Sequence, residues 1–239
     1  MSLPRVEQIV PAAPSTSVVD TGAFCVGALL LGLATRGLIP VLVHRGWEPL
    51  LAWFAAGSLV VFLPLLALGA AVLRSEGGPW TRARLRLQPP TRHDWALIAA
   101  GTLVVGLLSG LLALVMRRWV GAELAPPFLR VEPLGAGRLW ILAVWLPFWI
   151  LNVLAEEFIW RAVLLPRQEA RFGRWAWLVQ ALLWALFHAS FGVTVLVLVV
   201  PTLLVVPFVA QHTRNTFCGV AVHALSNGPP FVLIALGLI

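Results

Sequence analysis

The chain has 239 residues, of which 60% are hydrophobic and only 11% charged. A soluble domain carries about 25% charged residues, so this composition excludes an ordinary water-soluble fold and indicates a polytopic membrane protein. The formal charge of +7 would suggest a nucleic-acid partner in a soluble chain, but here the arginines sit in short loops between apolar runs, so membrane topology explains them and no nucleic acid is implied.

All seventeen basic residues are Arg, a usage expected of a GC-rich, bacterial genome. Residues 1–20 are rich in Pro, Ala and Ser and read as a cytoplasmic tail without the basic stretch of a cleavable leader. Apolar runs of spanning length follow at about 21–43, 48–73, 94–116, 139–165, 174–190, 192–211 and 214–238. The expected fold is therefore all-α, a polytopic transmembrane helical bundle of about seven spans, and the polar residues within those spans are expected to put an active site inside the membrane. N-terminal transmembrane helices and loops are expected over 21–130 and a catalytic helical core over 138–239.

Charge sets the orientation. Arg74, Arg82, Arg84, Arg86 and Arg92 lie in one loop, Arg167, Arg171 and Arg174 in a second, and Arg214 in the last short turn. With seven spans these loops share one side, which the positive-inside bias makes cytoplasmic, together with the N-terminus. The 117–138 loop is a partial exception, its arginines offset by Glu123 and Glu132. Six tryptophans (Trp47, Trp80, Trp95, Trp119, Trp140 and Trp175) fall at span ends, as an interfacial belt requires. The prolines of the last two spans, Pro201, Pro207, Pro229 and Pro230, are expected to break or kink their helices.

The chemistry concentrates in Glu156-Glu157-Phe158-Ile159-Trp160-Arg161. An ionisable group within a span costs a few kcal/mol, about 2.5 or more on insertion scales, so three in six residues mark a functional site. Helical geometry separates the two acids. Glu157 and Arg161 stand at i and i+4 on one face and form a supporting pair, while Glu156 points about 100° away with Asn152 one turn above it. Glu156 is the free carboxylate and the candidate general base. His188, His223 and Asn227 are the other polar groups in the apolar C-terminal half.

Measured from the inner turn at 1.5 Å per residue, Glu156 rises about 15 Å, His188 about 20 Å, His223 about 13 Å and Asn227 about 19 Å. All four fall in the middle of a bilayer core about 30 Å thick. Such a set can activate a water through Glu156 and His188 and stabilise an oxyanion through His223 and Asn227. Equally, Glu156, His188 and His223 can hold a Zn2+ ion with an open fourth position. There is no His-Glu-x-x-His helix, and the two aspartates, Asp20 and Asp94, lie at span edges. Ser190 and Ser226 lack a nucleophile turn, and their hydroxyls are expected to bond back to their helices. A transporter is a weaker alternative because no inverted repeat is visible. A non-catalytic scaffold would not need the full polar set.

The ordered set Glu-Glu-x-x-x-Arg, aromatic-x-x-x-His and His-x-x-x-Asn resembles the CPBP family, the type II CAAX prenyl endopeptidases and their bacterial relatives, which include intramembrane metalloproteases and bacteriocin-immunity proteins. The resemblance covers about 139–228. It implies an intramembrane protease acting on a membrane-embedded peptide or protein, in a bacterial inner membrane. Glu156 would be the base, His188 its partner, and His223 with Asn227 the oxyanion donors. Two departures from the family pattern are Trp160-Arg161-Ala162 in place of Phe-Arg-Gly, and Trp184 in place of Phe four residues before His188.

Overall fold

A computed structural model describes residues 17–238. The tail expected over 1–20 thus falls largely outside the described residues, and Val18, Val19 and Asp20 already belong to the first helix. Among the described residues there is no strand, and the chain folds as helices α1 (Val18–His44), α2 (Pro49–Ser75), α3 (Arg92–Val120), α4 (Trp140–Glu157), α5 (Leu165–Phe172), α6 (Ala176–Phe187), α7 (Val193–Thr213) and α8 (Thr216–Ala235).

Among the described residues six helical stretches are long and apolar enough to cross a membrane, the longest being the 52 residues from Trp140 to Phe191. That stretch folds back on itself at Gly173, whose φ of 53° is open to glycine without steric cost. Pairing across the bend is antiparallel, with Trp184 reaching Glu156 and Gln180 reaching Trp160. Its two arms are the fourth and fifth runs of the sequence, so the count of about seven holds.

The prolines do not break the helices. α7 runs unbroken through Pro201 and Pro207, and α8 through Pro229 and Pro230. In an apolar span a helix interrupted at every proline would leave more backbone groups without partners than the one N–H each proline lacks. Pro40 in α1 follows a π-helical turn, Ala34–Leu38, which closes with the Ile39 N–H on the Ala34 carbonyl.

One core runs through the bundle and joins both halves of the chain, with Phe24, Phe62, Ile98, Ile141, Trp160, Trp184, Val206 and Val222 all buried in it. Trp160 stacks on Phe24 of α1 at 4.0 Å and meets Phe187 of α6 edge-on. Trp145 of α4 stacks on Phe231 of α8 at 4.9 Å. These large rings set the rotation of α4 about its axis and so aim its polar face inward.

At one end three Arg-bearing connections are knitted together. Arg86 pairs with Glu169 at 2.7 Å, the Thr216 N–H donates to the Arg86 carbonyl at 2.8 Å, and Arg167 engages both Asp20 and Glu76. The loops predicted to share a side do share it. At the other end the segment between α3 and α4 packs back on the bundle, with Phe128 against Trp53 and Phe191. All six belt tryptophans are exposed, between 44% and 83%. That is the position of rings meant for the lipid headgroup region.

Candidate active site

α4 ends in the two acids and passes directly into a π-helical stretch, Phe158–Leu164. There the Leu165 N–H reaches back five residues to the Trp160 carbonyl, which also accepts from the Gln180 side chain at 2.6 Å. Widened turns of this kind recur at functional sites because they re-aim side chains that a regular helix would stack.

Glu156 is buried, at 2% exposure. Its Oε1 accepts from Asn152 Nδ2 at 2.8 Å, the neighbour one turn away that helical spacing provides. Its Oε2 accepts from the indole Nε1–H of Trp184 at 2.6 Å. Both donors are neutral. The carboxylate is therefore oriented at each oxygen without a cation in direct contact.

Glu157 is fully buried and engages charge instead. Arg161 Nη1 lies 3.0 Å from Glu157 Oε1, as the i, i+4 spacing predicts. The same oxygen is 2.9 Å from Nδ1 of His223. Linear reasoning missed this contact, which makes Glu157 the partner of the second histidine as well as of Arg161. The Arg161 guanidinium stacks over the Trp184 ring, 3.7 Å from its centroid. α8 comes this close because residue 219 is Gly. A Cβ there would lie 2.7 Å from Glu157 Oε2. Gly219→Ala is thus expected to push α8 off α4, costing about 1–3 kcal/mol by overpacking and reducing turnover, with thermal unfolding in detergent as the check.

Trp184 is the centre of the arrangement. Its N–H holds Glu156, its face carries Arg161, and the rings of His188 and His223 lie edge-on at 5.5 and 5.2 Å from its centroid. The signal available in the sequence was its position four residues before His188 and four after Gln180, one polar stripe on an otherwise apolar helix. Trp184→Phe keeps an aromatic ring and deletes one donor to a charged acceptor, a loss of about 1.5–3 kcal/mol. It is expected to lower turnover roughly ten- to a hundred-fold, measured as kcat, together with a lowered thermal midpoint in detergent.

His188 terminates α6 and opens a 3-10 turn, half-buried among Phe187 and Phe191. Its Nδ1 lies 3.0 Å from the Trp184 carbonyl, which can only accept, so Nδ1 carries a proton and Nε2 is the nitrogen left free of that contact. No direct hydrogen bond joins His188 to Glu156. Asn227 is exposed on α8 and makes no hydrogen bond among the described residues, so it is not paired with His223. Glu156, Glu157, Arg161, His223 and Trp184 are thus drawn into one connected cluster, with His188 on Trp184 and Asn227 two turns beyond Gly219 on α8.

The zinc set considered from the sequence is not assembled: among the described residues no three His, Cys, Asp or Glu side chains are grouped to hold an ion. Each Glu156 oxygen accepts one N–H and keeps a further lone pair that can take a proton. Ser190 and Ser226 differ from expectation, since neither hydroxyl bonds back to its helix or to any other group among the described residues.

Residues 138–228 match the family model described as Rce1-like, type II CAAX prenyl endopeptidase, the same group the three motifs resemble. The match covers less than half of the chain and contains every residue of the cluster. No curated protein and no solved structure matches the chain.

Proposed function

We propose, from the premise that residues 138–228 carry an Rce1-like domain, that the chain is an intramembrane endopeptidase hydrolysing a peptide bond of a membrane-associated peptide or protein. One observation carries the reading: two adjacent buried acids are given different partners. Glu157 is committed to Arg161 and His223, whereas Glu156 is gripped by two neutral N–H groups, which orient it and leave its charge unpaired by direct contact. A structural pair would have no use for the second acid, whose burial costs several kcal/mol (about 2.5 or more).

In this mechanism Glu156 takes a proton from a water, with Nε2 of His188 accepting the water's second hydrogen bond. The hydroxide adds to the peptide carbonyl carbon, and the negative charge that forms on the carbonyl oxygen is met by the Asn227 amide and by His223. To donate there from Nε2, His223 must carry protons on both nitrogens, the state that makes an ion pair with Glu157 across their 2.9 Å contact. Collapse breaks the C–N bond as Glu156 returns the proton to the leaving amine. Exposure of Asn227 and partial exposure of His188 supply the side from which substrate enters. The positive-inside bias puts the knitted Arg-bearing end in the cytoplasm.

Terminal peptidomics of membranes with the wild-type chain, with Glu156→Gln and without the protein tests the proposal. New peptide termini present only with the wild type support it. Identical termini in all three overturn it.

A further inference from the structure

Away from the acids, a cavity of about 530 Å3 opens between the bend that joins α5 to α6 and the turn that joins α7 to α8. Arg174 lines one side and Arg214 the other, with His212 beside them and the rings of Trp177 and Phe208 as apolar wall. Its framework is built: Gln211 accepts from the Trp177 N–H at 2.6 Å and donates to the Gly173 carbonyl at 3.0 Å, bracing the two turns against each other. Trp177 meets Phe208 edge-on at 5.5 Å, and His212 stacks on Phe208 at 5.7 Å.

The charge balance of this cavity is one-sided. Its one acid, Glu169, is already held by both guanidinium nitrogens of Arg86 at 2.7 Å each. Arg214 has no carboxylate partner among the described residues, and it is held in a left-handed conformation with φ of 50° at the turn. Among the described residues Arg174 has no carboxylate partner either, and its guanidinium lies 5.0 Å from the ring of Trp175, an exposed member of the interfacial belt. Two uncompensated guanidiniums at headgroup depth, with aromatic wall running towards the apolar spans, fit a phosphodiester that carries acyl chains.

We propose that this cavity binds the headgroup of an anionic phospholipid, its phosphate between Arg174 and Arg214 and the start of its acyl chains along Trp177 and Phe208. Soluble phosphate offers the same charge without the acyl chains, and the two sources separate by experiment. The site is distinct from the acid cluster and does not depend on the proteolytic reading.

Native mass spectrometry of the delipidated full chain in detergent, titrated with phosphatidylglycerol, phosphatidylcholine or inorganic phosphate, tests it. Phosphatidylglycerol is expected to add one tightly held molecule, at least tenfold tighter than phosphatidylcholine, and inorganic phosphate is expected not to compete at millimolar concentration. Arg174→Gln/Arg214→Gln should lose that molecule, while Arg117→Gln/Arg118→Gln, with the same charge removed elsewhere, should keep it. Equal loss in both double variants would show diffuse charge attraction and overturn the site. Competition by inorganic phosphate would overturn the lipid and leave a phosphate site. Trp177→Ala should weaken phosphatidylglycerol without changing the response to phosphate, and an unchanged lipid affinity there counts against the acyl-chain wall.

Discussion

Glu156→Gln is expected to lower peptide cleavage by about two to four orders of magnitude, the range that a positioned general base contributes. The amide keeps the shape of the carboxylate, and its oxygen can still accept from either Asn152 or Trp184, so packing is preserved. Its nitrogen, however, cannot take a proton from water and faces a second donor where an acceptor stood. Removing a buried charge offsets that loss in stability, so the thermal midpoint in detergent should move little. Cleavage at the wild-type rate by a folded Glu156→Gln protein would remove the base from the mechanism and leave the non-catalytic scaffold as the better account.

Arg161→Ala should instead damage the fold. Arg161 is 1% exposed and its guanidinium sits between the Glu157 carboxylate and the Trp184 ring, so its loss strands an acid in the core and removes the cation over the indole. Breaking a buried pair in this way costs about 3–5 kcal/mol. The double change Glu157→Leu/Arg161→Met removes both charges and is expected to recover most of that stability. It should not recover cleavage, because Nδ1 of His223 then has no carboxylate to orient it. Denaturation in mixed micelles measures the first effect and turnover the second. If the double variant is as unstable as Arg161→Ala, the cost comes from lost packing and not from the stranded charge.

Periodicity along single helices was readable without coordinates. A turn of 3.6 residues pairs Glu157 with Arg161 and sets Asn152 beside Glu156, and both contacts are present. Apolar length delivered the spans, and loop charge delivered the end at which Arg86, Glu169 and Thr216 meet. Of the break or kink expected at Pro201, Pro207, Pro229 and Pro230, a break is absent and α7 and α8 continue, because a span surrounded by lipid has no water to satisfy an opened backbone.

What the sequence determined by itself is an all-helical membrane protein, and the similar depth expected for Glu156, His188, His223 and Asn227 follows from counting along one chain. Tertiary structure alone decided that Trp184 grips Glu156, that His223 answers to Glu157, and that Asn227 stands apart. Those contacts join residues 28 and 66 positions apart. They depend on which helices are neighbours and how each is rotated, and that rotation is set by Trp160 stacked on Phe24, Trp145 on Phe231 and the missing side chain at Gly219. A linear pattern carries the depth of a side chain in a membrane but not the direction from which its partner will approach.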